Sequence, residues 1–563
     1  MGARLWRSSA ASKFAISCVA AVTMLTATPA MAAAPNGKGS HADLLKLFED
    51  FQAWQKKSSD VTATDYRDAA ITTRTRELAG LQARLNDMGV ARWTVPQKVD
   101  FLTTRAEFDK AEFVLKLTRP WARDPGFYVS ELQRPAFTNL PVQGAALEKL
   151  RAQLKNVPAT LGQARETLDD VAADHADLAI FSLTNSDGVE DGYPARAKAP
   201  AGVIGWYQDL LGRAKTQQPE LTGDIEASIK SLQEFEGWLK ANRGKMNGRA
   251  GVGKDALDWY IGNVMLMPYN SDEVMAIGQR ELDRFWGFYA VERHRNRKLP
   301  EIALPKDGDE YMKRVADTDA RIRKWIADEQ IITIPSYIPA DWTKLIVPPY
   351  SEPFNVPWAV RPTPPNFWEQ IQFRDPSPDH LHAVIPGHRF DLRVSKEASN
   401  VIRRSVKSDS RWQGWAVYLE EFGTQTGLFD DRPRVRELIQ LFGLWRAART
   451  VGDVWNQRNE MTSGEVADYW QKVTPFMDGN VAQKYAHIRT VPGHGMEYTM
   501  GNVQMWELLA ARKHQLGDKF VLKDFHDEMI VKGLLPLSLI RYEMTGDDKD
   551  VKAFFDRKPM PAK

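Results

Sequence analysis

Apolar side chains three and four residues apart recur along most of this 563-residue chain. A chain with that period buries one face of each segment and folds mainly as helices packed on one another. Leu44, Leu47, Phe48, Phe51 and Trp54 form the first such stripe. The same period predicts helices over about 65–88, 96–118, 143–170, 221–241 and 306–329, and Val95-Pro96 places a proline at a helix start, where its missing N–H costs nothing. Asn270-Ser271-Asp272-Glu273 reads as the cap of a long helix whose Val274, Ile277, Leu282, Phe285 and Tyr289 make a core stripe. Helical periodicity returns at 412–428, 433–459, 464–474, 480–488 and 498–516. Between about 330 and 376, short β-branched runs at 331–334 and 345–347 alternate with prolines and predict a small sheet with loops. The expected fold is mainly α, a large multi-helix domain over 41–563 with that β/loop insert. Two lobes, about 41–329 and 330–563, facing a central cleft are the alternative division.

The first 32 residues read as an export signal: Arg4, Arg7 and Lys13 precede an apolar stretch that ends in Ala30-Met31-Ala32, with a linker over 33–40. Cleavage near Ala32 removes three of the 75 basic side chains and none of the 73 acidic ones, leaving a net charge of −1 and no basic field for nucleic acid. Cys18, the sole cysteine, leaves with that segment, so the mature chain has no disulfide, thiol nucleophile or thiolate ligand. Apolar residues continue well beyond Cys18, which argues against a lipid anchor there. No later apolar run is long enough to span a bilayer, and the expected location is periplasmic or secreted. A near-match to a phosphate-binding loop at 248–254 has Asp255 in place of the magnesium-holding Ser/Thr and no preceding strand, so it reads as a loop and a helix start.

Three of the ten histidines, His380, His382 and His388, fall within nine residues, and Gln413-Gly414-Trp415-Ala416-Val417-Tyr418-Leu419-Glu420 follows about 25 residues later. Imidazole is both a metal ligand and an acid–base group near neutral pH, so the cluster is a candidate site of either kind. His382 and His388 are six residues apart, about 240° round an ideal helix, so one continuous helix cannot turn both rings to one point. A break at Pro386-Gly387 would bring them together. Gln413, Val417 and Glu420 share a helix face that could meet the histidines.

These stretches resemble the bacterial domain-of-unknown-function 885 family, whose members look like helical zinc metallopeptidases of the gluzincin type. The likeness runs from about 40 to 555. It includes H-E-x-x-P-G-H-H at His382 to Arg389, E-G-W-A-L-Y-x-E at Gln413 to Glu420, and P-G-Q-A-x-x-Y-x-x-G at Pro492 to Gly501. The C-terminal Leu522 to His526 and Gly533 to Leu537 are also similar. Ala383 stands where the family has its general-base glutamate, and Gln413 where it has a glutamate resembling the third zinc ligand. Loss of a general base costs about 10²–10⁴-fold, and an amide in place of a carboxylate removes charge that stabilises the dication. Arg389, Asp391 and His494 replace His, Gln and Gln, so the pocket gains polar groups while keeping His382, His388, Tyr418, Glu420, Arg489 and Tyr498.

The expected function is an exported lyase or hydrolase on a metallopeptidase-like scaffold. His382, His388, His494, Tyr498 and Glu420 would do acid–base work, while Arg389, Gln413, Tyr418 and Arg489 would hold a small-molecule or peptide-like substrate. The cofactor is left open between none and zinc on His382 and His388. Two other readings stay open: an inactive pseudo-peptidase that binds such ligands, and a zinc peptidase with His382, His388 and Glu420 as rearranged ligands. Neither substrate identity nor oligomeric state follows from these residues. Intact-mass analysis of the exported protein should give an N-terminus at Ala33 with no lipid; a lipid-modified start at Cys18 would overturn the signal-peptide reading.

Overall fold

The computed structural model describes residues 38–185, 200–342, 365, 367–479, 481–482 and 492–562. Helices dominate them. The longer ones are α1 (His41–Lys56), α2 (Asp68–Asn86), α3 (Val95–Phe113), α4 (Gly144–Thr167), α5 (Ala173–Thr184), α6 (Gly202–Gln217), α7 (Thr222–Asn242), α8 (Lys254–Asn263) and α9 (Ser271–Arg295). They continue as α10 (Gly308–Asp328), α11 (Ser377–Ala383), α12 (His388–Ser395), α13 (Asp409–Gln425), α14 (Pro433–Gln457), α15 (Ser463–Val473), α16 (Glu497–Leu516), α17 (Leu522–Ile530) and α18 (Leu537–Thr545).

Local chemistry accounts for the boundaries. The Ser40 hydroxyl accepts the Asp43 N–H at the start of α1, and Asn270 accepts the N–H groups of Asp272 and Glu273 at the start of α9, each satisfying donors the helix leaves open. All five residues of the first stripe are buried, as are Val274, Leu282 and Phe285. Helices α5 and α6 escape the periodicity for physical reasons. In α5 the buried residues share one face, but that face includes His175 and Ser182 while the other carries Ile180 and Phe181, so the apolar contrast that sets the period is weak. In α6, Gly202, Gly205 and Gly212 lower the helix propensity of the segment.

The expected sheet near 330–376 is corrected where residues are described. No ladder of strands occurs among the described residues, only the isolated bridges Ala172–Gly248 and Lys407–Leu534. Residues 331–334 run extended but bond to a helix: the Ile331 carbonyl accepts from His526 Nδ1 (2.8 Å), and the Thr333 N–H donates to Asp527 (2.7 Å). Their β-branched side chains reflect burial against α17, since Ile331 and Ile332 are core residues. Residues 343–364, with the run at 345–347, lie outside the described residues, as do most of 480–488. The glycine-rich loop at 248–253 docks on the end of α14, where the Gly253 N–H donates to the Gln457 carbonyl (2.8 Å), and α8 starts at Lys254.

Four long helices build the scaffold for the motifs. Helix α9 lies along α14, and α13 lies along α16. Both contacts are closer than ordinary side chains permit. A Cβ on Gly443 would fall 2.3 Å from the Phe285 ring, and a Cβ on Gly414 would fall 2.4 Å from the Gly501 backbone. The Gly414–Gly501 crossing sets the helices that carry these two motifs against each other, with Gln413 one residue and Tyr498 three residues before the contact. Gly501→Ala, whose methyl would meet the Ser410 carbonyl at 2.1 Å, should destabilise the protein by about 1–3 kcal/mol. Urea unfolding measures it, and an unchanged midpoint would show that the helices can part at no cost.

Candidate functional site

The histidine pair is made by a helix break. Helix α11 ends at Ala383, α12 begins at His388, and the turn between them places the two imidazole centroids 4.5 Å apart at 78°. Trp415 Nε1 donates to the Pro386 carbonyl (2.9 Å) and ties this turn to α13. Gly387 is a steric requirement, because a Cβ there would lie 1.9 Å from the His382 carbonyl oxygen. Any side chain would push α12 off α11 and separate the rings. The third histidine faces elsewhere: His380 Nε2 meets Asp319 (2.8 Å) and fastens α11 to α10.

Helix α13 meets the pair with the face expected for it. His388 Nε2 donates to Gln413 Oε1 (3.1 Å), and His382 Nδ1 lies 2.6 Å from Glu420 Oε1. Arg446 of α14 donates to Glu420 Oε2 (2.5 Å) and has its other terminal nitrogen 3.2 Å from His382 Nδ1. An ionised carboxylate only accepts, and its contact is the shorter one, so Nδ1 carries the proton and Nε2 is left with its lone pair. His388 stacks on Trp412 (3.9 Å between centroids), with Lys407 Nζ over the outer face of that indole (3.8 Å). The Nδ1 of His388 has no hydrogen-bond partner among the described residues.

Burial governs the proton affinities. It holds His382 well below the usual imidazole range, helped by the Arg446 and Arg449 charges, and pushes His388 down to about 2, with His382 as the next cause. Burial also raises Glu420 to about 7, against the pull of Arg446. Both rings are therefore neutral at physiological pH, beside a carboxyl poised near neutrality and a fixed guanidinium.

Tyr498, in the first turn of α16, lies under the Arg449 guanidinium (4.2 Å to the ring centroid), with Arg446 6.0 Å away. His494 precedes that helix and pairs with Glu497 (3.4 Å). The turn bearing it rests on α14, where the Gly495 N–H donates to Asp453 (3.0 Å). Arg389 is half-buried in the first turn of α12, next to His388. Tyr418 is placed differently from expectation: it is fully buried, its hydroxyl meets His526 Nε2 (3.0 Å), and its ring packs on Trp415, Phe422 and Trp506. At five residues from Gln413 it lies about 140° round α13, which turns it into the core. Asp391, one of the gained polar groups, forms a bidentate pair with Arg411 (2.8 and 3.1 Å), both fully buried, and is structural. Arg489 lies outside the described residues.

A zinc ion of the gluzincin kind does not fit these residues. Two imidazoles and a neutral amide converge, Glu420 is already held by His382 and Arg446, and the guanidinium beside them opposes a dication. Among the described residues no group of three or more His, Cys, Asp or Glu side chains is arranged to hold a metal. The sequence reading missed Arg446 and Arg449. Their signal was two arginines three apart in a stretch, 438–454, that is otherwise mostly apolar.

A helical scaffold carrying a buried His–His–Gln cluster, backed by a carboxylate and an arginine, defines the class. The chain belongs to the bacterial protein family of unknown function DUF885, whose model matches residues 52–544. None of the curated proteins matches it significantly. Among solved structures it is similar to a candidate lipoprotein of unknown function from Shewanella oneidensis, at 16% identity and a TM-score of 0.67 over 90% of this chain and 100% of that one. A candidate lipoprotein from Colwellia psychrerythraea is similar at 17% identity and a TM-score of 0.65, over 92% and 100%. Those likenesses establish the fold. Among the described residues no helix is long and apolar enough to cross a membrane.

The buried neutral histidines give a pH dependence. His388, and His526 at about 4, bind protons less readily folded than unfolded, where the value is near 6.5. The unfolded chain therefore takes up more protons in acid, and this stability is whole above about pH 6.5 and lost as pH falls below it. His388→Gln should show a shallower fall in urea midpoint between pH 7 and 5 than the wild type; parallel profiles would mean that His388 is not held neutral.

Proposed function

We propose that the protein is an exported acid–base enzyme, a lyase or hydrolase that works without zinc on a small substrate bearing a negative group. The observation that carries this reading is the Arg446–Glu420–His382 chain. Arg446 holds Glu420, Glu420 holds the Nδ1 proton of His382, and Nε2 is left to take a proton from substrate. As Nε2 is protonated, the new imidazolium lies 2.6 Å from a carboxylate, where its charge is met. Tyr498, under the Arg449 guanidinium, is the proton donor. Arg389 supplies a charge for the anionic group, and His494 a second proton carrier. Gln413 holds the His388 ring, and its missing charge is what this chemistry requires, since no metal has to be neutralised.

The export signal over residues 1–32 and a single helical unit over 41–563 belong to the same proposal. One apolar cluster reaches from Leu44 to Phe554 and supports the latter. A binding protein is the second reading, favoured by Ala383, which offers no carboxylate beside the histidines.

Elemental mass spectrometry of the mature protein, expressed without a chelating tag, should find well under one equivalent of zinc in both the wild type and a His382→Ala/His388→Ala variant. One equivalent that vanishes in the variant would sink the zinc-free reading. In a screen of small carboxylate-bearing esters, amides and β-substituted acids, Glu420→Gln should lower turnover by about 10²-fold or more. A ligand recovered intact after long incubation would favour the binding protein.

A further inference from the structure

A cavity of about 40 Å³ lies between α3 and the starts of α13 and α16. One wall is the face of α3 that carries Glu107 and Lys110; the others are Tyr260 of α8, Lys407 and Asp409 before and at the start of α13, and Glu497 at the start of α16. His382, His388 and Gln413 do not line it.

Five charged side chains meet there, Lys110 and Lys407 against Glu107, Asp409 and Glu497. Two of the carboxylates are answered: Lys407 Nζ lies 2.8 Å from Asp409, and His494 Nδ1 lies 3.4 Å from Glu497. One cation and one anion are left over. Glu107 and Lys110 stand three apart on one helix face, the spacing at which opposite charges usually pair, yet among the described residues neither makes a hydrogen bond or an ion pair. Both are half-buried, and their charged atoms keep accessible surface in the cavity they line. Lys110 is a firm cation, because Tyr260 first, and then Glu107, Asp409 and Glu497, raise its proton affinity against burial. Burial raises Glu107, against the pull of Lys110. Lysine and glutamate are drawn into an interior mainly as paired groups, so two that share a cavity unpaired call for a partner from outside.

We propose that this cavity binds the zwitterionic head group of a small α-amino acid, with its carboxylate on Lys110 Nζ and its ammonium on Glu107. The ligand's two charges are joined through a single carbon, close enough to meet side chains whose Cβ atoms are about 5–6 Å apart. A lone anion would leave Glu107 unmatched among the carboxylates, and a lone cation would face Lys110 with nothing to answer it. The volume sets the size: at about 10–15 Å³ for a water, the cavity takes about three waters or one head group of similar bulk. The inference is independent of any chemistry at the histidines, which the cavity does not include.

The test is calorimetric titration of the mature protein with glycine, beside its two isosteres: propionate, which lacks the ammonium, and glycinamide, which lacks the carboxylate. Saturable binding of glycine at one site is expected, with each isostere weaker by about tenfold or more, the worth of a hydrogen bond to a charged group. Lys110→Met should erase the preference for glycine over glycinamide, and Glu107→Gln the preference over propionate, which a merely structural role would not do. His382→Ala should leave glycine binding unchanged, which separates this site from the histidine site. Absence of saturable glycine binding, either isostere binding as tightly as glycine, or loss of glycine binding in His382→Ala would each overturn the proposal. The isostere comparison uses the wild type alone, so it decides the matter even where Lys110→Met does not fold.

Discussion

The contact between Gly414 and Gly501 is the constraint on which the site depends. A Cβ on Gly501 would sit 2.1 Å from the Ser410 carbonyl and 2.7 Å from the Gly414 Cα, so α13 and α16 meet backbone to backbone. Close approach shortens the distance that side chains on the two helices must span, and it lets Gln413 and Tyr498 look toward the same region. Gly387 does the same at a smaller scale, letting α12 start against the end of α11 so that two imidazoles six residues apart meet. The motif glycines therefore act through space they leave empty, and the histidines, glutamine and tyrosine act through the positions that space permits.

Charge burial is the second theme, and it serves positioning more than stability. Asp391–Arg411 and Glu420–Arg446 are both buried pairs, and removing two ions from water offsets most of what their attraction returns. The difference between them is what else they touch. Asp391 and Arg411 satisfy each other, whereas Glu420 divides its oxygens between Arg446 and His382, so one pair locks the fold and the other sets a tautomer. The low proton affinity of both site histidines follows from the same burial.

Most of the helical architecture was legible because amphipathic period and caps are local properties. Asn270 caps α9, Val95-Pro96 opens α3, and the first stripe is core, as their spacing requires. Where the period failed, a local signal was weak or ambiguous: α5 has His175 and Ser182 on its buried face and Ile180 and Phe181 on the other, and the β-branched run at 331–334 is buried by α17 rather than paired in a sheet. At the site, the helix break and the Gln413–Glu420 face could be read from residue spacing. Tyr418 could not, since its assignment depends on which neighbour fills the other side of α13, and Arg446 could not, since it arrives from a helix some 25 residues beyond Glu420.

By itself the sequence determined that the chain is helical, that His382 and His388 need a break to meet, and that positions 383 and 413 carry an alanine and an amide rather than carboxylates. Each of these is a matter of covalent order and local period. Only the tertiary structure decided that Glu420 belongs to His382 and Arg446, that Tyr418 belongs to His526, and that Asp391 is spent on Arg411. Those partners come from different helices, and the choice among them is made by how closely the backbones approach, which no single segment encodes.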